Sequence, residues 1–349
     1  MLVDGSERPE ISKTGEGQGA DGHSSVTVAA IVPLYNGATF IRQALESVLV
    51  QTVPPDEIIV VDDGSTDDGP AIVEEMCRTY PIQLLRKSNG GQSSARNLAA
   101  MTCGSSHLAF LDQDDVWYDD HLEILRRPFE EGGIRGLALV YGNLDQIDRR
   151  GRMLQYGCLD AVPTVHPKRS LRDCLQHDMF ILPGASLISK DAFLKVGKFD
   201  ERLSGYEDDD LFVRMFSAGY QSVYCNAAVT RWRIYSGSTS FSERMRHSRM
   251  VYFRKLLEAY PDDPTLDFYW RRDVIAPRFM RLVAGNFLSN LRRRDFAAAE
   301  ALWGDVMEVA AAAKPRVRWR VAAVAPIVSF LFRRRFAAVP KLLLRYAVH

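Results

Sequence analysis

The sequence predicts an α/β protein: an open, mostly parallel sheet with helices on both faces, followed by a helical C-terminal extension. Three observations predict it. From Val26 onward, short β-branched runs alternate with stretches whose apolar residues recur at helical spacing, the pattern of strands joined by crossover helices. The strand-like runs are apolar along their length rather than alternating, as in strands covered on both faces. After Phe241 the strand signals vanish, and residues 242–313 carry Arg-rich amphipathic helical patterns with no internal repeat.

The elements follow in order. "VTVAAIVPLYN" is a buried strand closed by Pro33. In "ATFIRQALESVLVQ", Phe40, Ile41, Ala44, Leu45, Val48 and Leu49 mark one face of a helix. "DEIIVVDDGSTDDG" gives a second strand that ends in acid, with Ser65 or Asp67 placed to cap a helix over Ala71–Met76. "IQLL" is a third strand, "NGGQSSARNLAAM" a Gly-rich lead into a helix, and "HLAFL" a fourth strand. "LALVYG" and "SLIS" read as further strands, and "DDDLFVRMFSAGY" as a helix stopped at Gly219. The α/β body thus spans 26–240 and the helical extension 241–349.

A chain of 349 residues can bury a full α/β core with room for that appendage. Hydrophobic residues at 46% and charged residues at 25% are ordinary for a globular protein. The five cysteines, Cys77, Cys103, Cys158, Cys174 and Cys225, are odd in number and lack C-x-x-C spacing, which argues against a disulfide framework or zinc knuckle and fits a reducing cytoplasm. Residues 1–25, rich in Gly, Ser and charge, read as a disordered leader rather than a signal peptide. No segment reaches the ~18 apolar residues needed to span a bilayer.

The chemistry gathers where strands end, which is where open parallel sheets bind ligands. "PLYN", "VDDGS" and "LDQDD" all stand at such ends, whereas the G-x-G-x-x-G of a dinucleotide site and the G-x-x-x-x-G-K-[ST] of a P-loop are absent. Asp112, Asp114 and Asp115 crowd three carboxylates into four residues. They are either an acidic turn before the next helix or oxygen ligands for a hard cation such as Mg²⁺ or Mn²⁺. Asp62 and Asp63 form either an Asx-turn or acceptors for a nucleobase imide and a ribose hydroxyl, with Tyr35 placed to flank the base. Arg96 and the backbone of "NGGQSSARN" offer donors for phosphate oxygens. The four consecutive acids Glu207–Asp210 exceed what a helix N-terminus requires, and one of them held near a cation site would make a general base.

The stretches "AAIVPLYNGATFIRQALESVLVQTVPPDEIIVVDDGSTDDG", "NGGQSSARNLA", "AFLDQDDVWYDDHL" and "KVGKFDERLSGYEDDDLFVRM" resemble, in order and spacing, the family 2 glycosyltransferases, over about residues 26 to 240. The resemblance implies a GT-A fold, a nucleotide-sugar donor (UDP-sugars being the commonest choice), a divalent metal and inversion at the anomeric carbon. Position by position, it implies that Pro33, Tyr35, Asn36, Asp62 and Asp63 serve the nucleoside. Arg96 would lie near the diphosphate or the aspartates. Asp112 would face the ribose and share the metal with Asp114, and Asp115 and Trp117 would border the sugar and acceptor. Asp208 would be the catalytic base, with Glu207 beside it contacting hydroxyls. Many relatives carry an Arg-x-His-x-Gly-Ser stretch whose His completes the metal shell. This chain has "RIYSGSTS" there, with Tyr235 at the His position, which leaves the metal to Asp114, the diphosphate and water.

Two rivals stand beside that reading. A nucleotidyltransferase would use similar carboxylates but needs a G-x-G-T-R loop after the first strand, where this chain has "VPLYNGATF". A binding protein without turnover would keep the pocket alone. The expected partners are the nucleotide sugar and a glycan or lipid-linked acceptor, as in polysaccharide synthesis. No acidic residue follows Glu308, whereas nine basic residues do, so residues 314–349 carry +9 and the rest of the chain −9. "WRVAAVAPIVSFLFRRRFAAVPKLLLRYAV" places Val321–Phe332 between arginines, with Pro326 and Pro340 expected to break a helix. It reads equally as an interfacial helix on an anionic membrane, peripheral on the inner face, or as a terminal helical hairpin docked on the body. The basic run lacks a recognition fold, so nucleic acid is not an expected partner.

Overall fold

Among the described residues, nine strands hydrogen-bond into one sheet, in the order Ile82–Arg86, Glu57–Asp62, Val28–Leu34, His107–Phe110, Ser186–Ser189, Leu137–Ile147, Gln221–Arg233 and Val116–Trp117, with Met153–Gln155 paired to Leu137–Ile147. The computed structural model describes residues 25–162, 164–235 and 243–333. The expected leader, apart from Ser25, and the tail beyond 333, with Pro340, lie outside the described residues.

The first half is the predicted one. β1 (Val28–Leu34), β2 (Glu57–Asp62), β3 (Ile82–Arg86) and β4 (His107–Phe110) pair in parallel. Between them run α1 (Ile41–Leu49), α2 (Gly69–Cys77) and α3 (Gln92–Thr102). β1 shows why its sequence is apolar throughout. Ala29 and Ile31 join the core on one face, while Val28, Ala30, Val32 and Leu34 join the core on the other. Helix α2 begins two residues before the expected Ala71. Asp67 accepts from its first N–H (Gly69 N, 3.0 Å) and from Ala38 N (2.8 Å), while Ser65 Oγ instead takes the N–H of Asn36 at 3.1 Å.

Beyond β4 the sheet is mixed. The two-residue strand β5 (Val116–Trp117) precedes α4 (His121–Glu131). After β6 (Leu137–Ile147) and β7 (Met153–Gln155) come the short helices α5 (Cys158–Ala161) and α6 (Leu171–Gln176), then β8 (Ser186–Ser189) and α7 (Lys190–Lys195). α8 (Glu207–Ser217) ends before Gly219, at φ +83°, and β9 (Gln221–Arg233) closes the sheet region. β8 runs antiparallel to both β4 and β6, β9 lies parallel to β6, and β5 runs antiparallel to β9.

The extension is helical, as expected: α9 (Glu243–Ala259), α10 (Ala276–Arg293), α11 (Phe296–Ala312) and α12 (Pro315–Arg333). Pro326 does not break α12 but lies within it. One face of α12 packs on the other helices of the extension through buried Val328 and Phe332, the Phe332 ring standing 6.4 Å from that of Phe287 in α10. Such packing offsets the backbone hydrogen bond that a proline removes. Among the described residues no helix is long and apolar enough to cross a membrane, and all five cysteines are free.

Candidate active site

Parallel pairing of β2, β1 and β4 brings three strand ends side by side, and with them Tyr35–Asn36, Asp62–Asp63 and the Asp112–Asp115 turn. Pro33 is buried in β1 opposite Val61. Tyr35 is exposed, and its backbone is held from both sides by Gln113. Tyr35 N donates to Gln113 Oε1 at 2.8 Å, and Gln113 Nε2 donates to Tyr35 O at 3.0 Å. Asn36, at φ +48°, accepts from Thr66 N at 2.8 Å. The middle residue of "DQD" is therefore the clamp on the loop after β1. Sequence reasoning passed over it because a glutamine between two aspartates carries no charge signal.

Asp62 and Asp63 divide the work. Asp62 Oδ1 accepts from Ser65 N at 2.9 Å, the Asx-turn alternative. Asp63 accepts from Lys87 Nζ at 2.6 Å, Gly90 N at 2.9 Å and Gly91 N at 2.7 Å. Its carboxylate organises the glycine loop before α3, and Lys87 is a partner that sequence reasoning missed.

Arg96 is wholly buried and joins two parts of the site. Nη1 donates to Glu207 Oε1 at 2.9 Å and Nη2 to Asp112 Oδ1, while Gln92 Nε2 donates to the same Glu207 oxygen. Burial opposes the guanidinium charge, but Asp112 and Glu207 outweigh it and hold the group ionised. The other oxygen of Glu207, Oε2, is buried without a hydrogen-bond partner among the described residues.

Asp114 and Asp115 meet different surroundings. Asp115 is buried and accepts from Arg233 N at 2.8 Å, and Arg233 Nε donates to Asp114 O at 2.6 Å. Burial, then repulsion from Asp112, pushes the Asp114 carboxyl up to about 6, against a hydrogen bond from Tyr235 and the charge of Arg233. Burial and the charges of Asp114 and Asp112 push Asp115 well above the carboxylate range. Among the described residues no three His, Cys, Asp or Glu side chains converge as a ready-made metal cage. The donor chemistry nonetheless fits a hard cation held by one or two carboxylates that takes its remaining ligands from phosphate and water, since crowded carboxylates gain from a positive charge.

Trp117, expected to border the sugar and acceptor, has a fully buried ring that donates from Nε1 to Gly184 O at 2.9 Å and stacks on His121 at 4.0 Å. An aromatic beside an acidic turn suggests a pocket wall, but Trp117 lies in β5, which β9 covers.

The acid run at the start of α8 has one odd member. Glu207 pairs with Arg96, Asp209 with Arg278, and Asp210 with Arg214 and Lys255. Asp208 has no ion pair among the described residues. It accepts only from Asp209 N, at 2.8 Å. Burial, then repulsion from Glu207 and Asp209, pushes its carboxyl well above the ordinary range.

Comparison with known proteins adds the lineage. Residues 29–197 match the model of the family described as "Glycosyl transferase family 2", a span that stops short of the acid run. A Rickettsia bellii protein named "Uncharacterized glycosyltransferase" is 31% identical over 224 residues, covering 62% of this chain and 31% of its own length, so the chain spans about a third of that relative. The S. aureus TarS 1-349 structure in complex with UDP-GlcNAc superposes with a TM-score of 0.61 at 18% identity, over 88% of this chain and 92% of that one. The mannosyltransferase PcManGT from Pyrobaculum calidifontis, in complex with GDP-Man and Mn2+, gives a TM-score of 0.56 at 18% identity, over 92% and 86%. At such identities the likeness is one of fold: a mixed open sheet of GT-A type, flanked by helices and followed by C-terminal helices. Residues 29–197 thus carry the sequence pattern of glycosyl transferase family 2.

Proposed function

We propose that the protein is an inverting glycosyltransferase that moves a sugar from a nucleoside-diphosphate sugar to a hydroxyl of a glycan or lipid-linked acceptor, in polysaccharide or glycoconjugate synthesis. A UDP-sugar is the first candidate donor, supported by the UDP-GlcNAc in the TarS complex, with GDP-sugars next, after the GDP-Man of the Pyrobaculum calidifontis mannosyltransferase. The observation that carries the reading is the carboxylate of Asp208, which has no ion pair among the described residues, in a run of acids whose other members all have cations.

In the proposed mechanism the Tyr35–Asn36 loop and Asp62–Asp63 receive the nucleoside. Arg96 fixes Asp112 and Glu207, and Glu207 stands beside Asp208 at the start of α8. A divalent cation, Mn²⁺ or Mg²⁺, would be held by Asp114 with Asp112 beside it, and would neutralise charge that develops on the diphosphate. Asp208 takes the proton of the acceptor hydroxyl as its oxygen bonds to the anomeric carbon. The bond from that carbon to the diphosphate oxygen breaks on the opposite side, and the nucleoside diphosphate leaves with the electron pair. One displacement inverts the centre, and no covalent nucleophile is required.

Two variants test this. Asp208→Asn should lower kcat by roughly a thousandfold or more and leave the donor Kd within about twofold, because the group acts on the acceptor. An equal loss of donor binding would make Asp208 a structural or donor-binding residue. Asp114→Ala should abolish the Mn²⁺-dependent rise in nucleotide affinity measured by calorimetry, and unchanged affinity would remove Asp114 from the metal site. We extend the proposal to a peripheral association with anionic membrane through α12.

A further inference from the structure

Helix α8 has no side-chain cap at its N-terminus, so its first turn, which carries Asp208, depends on what packs against it. The C-terminal extension supplies those contacts. The chain enters α8 through Gly205 and Tyr206, at φ +143° and +63°. A Cβ on Gly205 would lie 2.2 Å from Sδ of Met245 in α9, and the φ of +143° is one that side-chain-bearing residues rarely adopt. Tyr206 stacks on Tyr252 at 5.6 Å, and its hydroxyl accepts from Arg249 Nε at 3.2 Å. Ser204 N donates to Ser248 Oγ at 2.8 Å. All four partners belong to α9.

Helix α10 adds Arg278, a wholly buried guanidinium. It donates to Asp209 Oδ2, to Asp178 Oδ1 from Nη2 at 2.8 Å and Nε at 3.1 Å, and to Cys174 O at 3.3 Å. The rings of Phe279 and Tyr252 lie 5.3 and 5.6 Å from its carbon. The other oxygen of Asp209 accepts from Met179 N at 3.2 Å. Asp209 thus has both oxygens fixed, and it is the residue whose N–H holds Asp208 Oδ1.

We infer that Arg278 is a positioning residue: by clamping Asp209 it fixes the first turn of α8 and so the carboxylate of Asp208, which makes the C-terminal helices part of the active-site scaffold. The inference rests on reading Asp208 as the base. The competing account is a buried ion pair that serves stability alone. The two separate because both buried charges, Arg278 and Asp209, can be removed together, which leaves only the partly exposed Asp178 without its arginine.

The experiment compares wild type, Arg278→Lys, Asp209→Asn and the double variant Arg278→Met/Asp209→Asn by thermal melting, steady-state transfer and hydrogen exchange of amides 205–211. The double variant should melt close to wild type, lose about tenfold or more in kcat with donor KM within about twofold, and exchange the α8 first-turn amides about tenfold faster. Arg278→Lys, which keeps the charge without the fork, should fall between. A folded double variant with wild-type kcat and exchange overturns the inference. If the double variant does not fold, Arg278→Lys decides by the same two readouts. If wild type transfers no sugar, the reading of Asp208 fails, and exchange alone shows whether Arg278 holds the turn.

Discussion

At Asp208, burial and the adjacent carboxylates of Glu207 and Asp209 act in the same direction, raising the pKa, and the hydrogen bond from Asp209 N and the more distant charge of Arg96 oppose them without outweighing them. A base works when ionised, so the sign of the pH dependence follows. Below the raised pKa the group is protonated and cannot accept the acceptor proton, and activity is lost as pH falls through that value. The acid limb of the kcat profile should therefore lie well above the ~4 of a free Asp side chain. A pH–rate profile with saturating donor and acceptor checks it, and a limb near 4 would mean that the surroundings of Asp208 leave it unperturbed. The same arrangement suits catalysis at neutral pH, because a carboxyl with a higher pKa is the stronger base once ionised. Paired carboxylates would gain less: Glu207 and Asp209 each share their charge with an arginine.

At the scale of elements, β5, α4 and β9 lock together through His121. Its Nδ1 donates to Val229 O at 3.0 Å and its ring stacks on Trp117. Burial lowers its pKa to about 3, so the folded ring stays neutral where an unfolded histidine takes a proton near ~6.5. Its contribution is fully present above about 6.5 and is lost as pH falls from there toward the folded value. Between pH 7.5 and 5, wild type should lose roughly 2 kcal/mol more stability than His121→Gln, read by urea denaturation at both pH values; equal losses would mean that the ring protonates in place. This corner of the fold was also the least legible in the sequence. β1, β2 and β4 declare themselves as continuous apolar runs because both faces are covered, and the carboxylates at their ends follow from that. β9 is largely half-buried, and its register against β6 shifts near Asn143, so no period appears in "QSVYCNAAVTRWR". Two-residue β5 is below what any pattern can mark. The site divides in the same way: charged residues at strand ends were visible, but Gln113, Lys87 and the burial of Trp117 depend on which element lies opposite.

For the whole molecule, the charge split of +9 in residues 314–349 against −9 elsewhere acquires a geometry in α12. Val321, Val324, Val328 and Phe332 face the hydrophobic core, where α12 packs on α11 and α10. On the opposite side Trp319 is 72% and Ile327 47% exposed, with Ala323 and Pro326 exposed between them and Arg316, Arg318 and Arg320 exposed alongside. Docking and membrane contact therefore use different faces, and the two readings of the tail are compatible. Deleting the tail would confuse them, since it removes docked Val328 and Phe332 together with the outer face. Trp319→Ser/Ile327→Ser changes the outer face alone and should leave the melting temperature within a few degrees, as surface substitutions do. The intact chain should sediment with vesicles containing phosphatidylserine and not with purely zwitterionic ones, and Trp319 fluorescence should shift to the blue on binding. Each arginine near the surface contributes about 1 kcal/mol that salt screens, so raising salt should release the protein, and the double variant should bind at least about tenfold more weakly. If the variant binds as the intact chain does, α12 is not the contact. If the intact chain ignores anionic vesicles at low salt, α12 serves the body alone, and the acceptor must reach the site without help from a membrane surface.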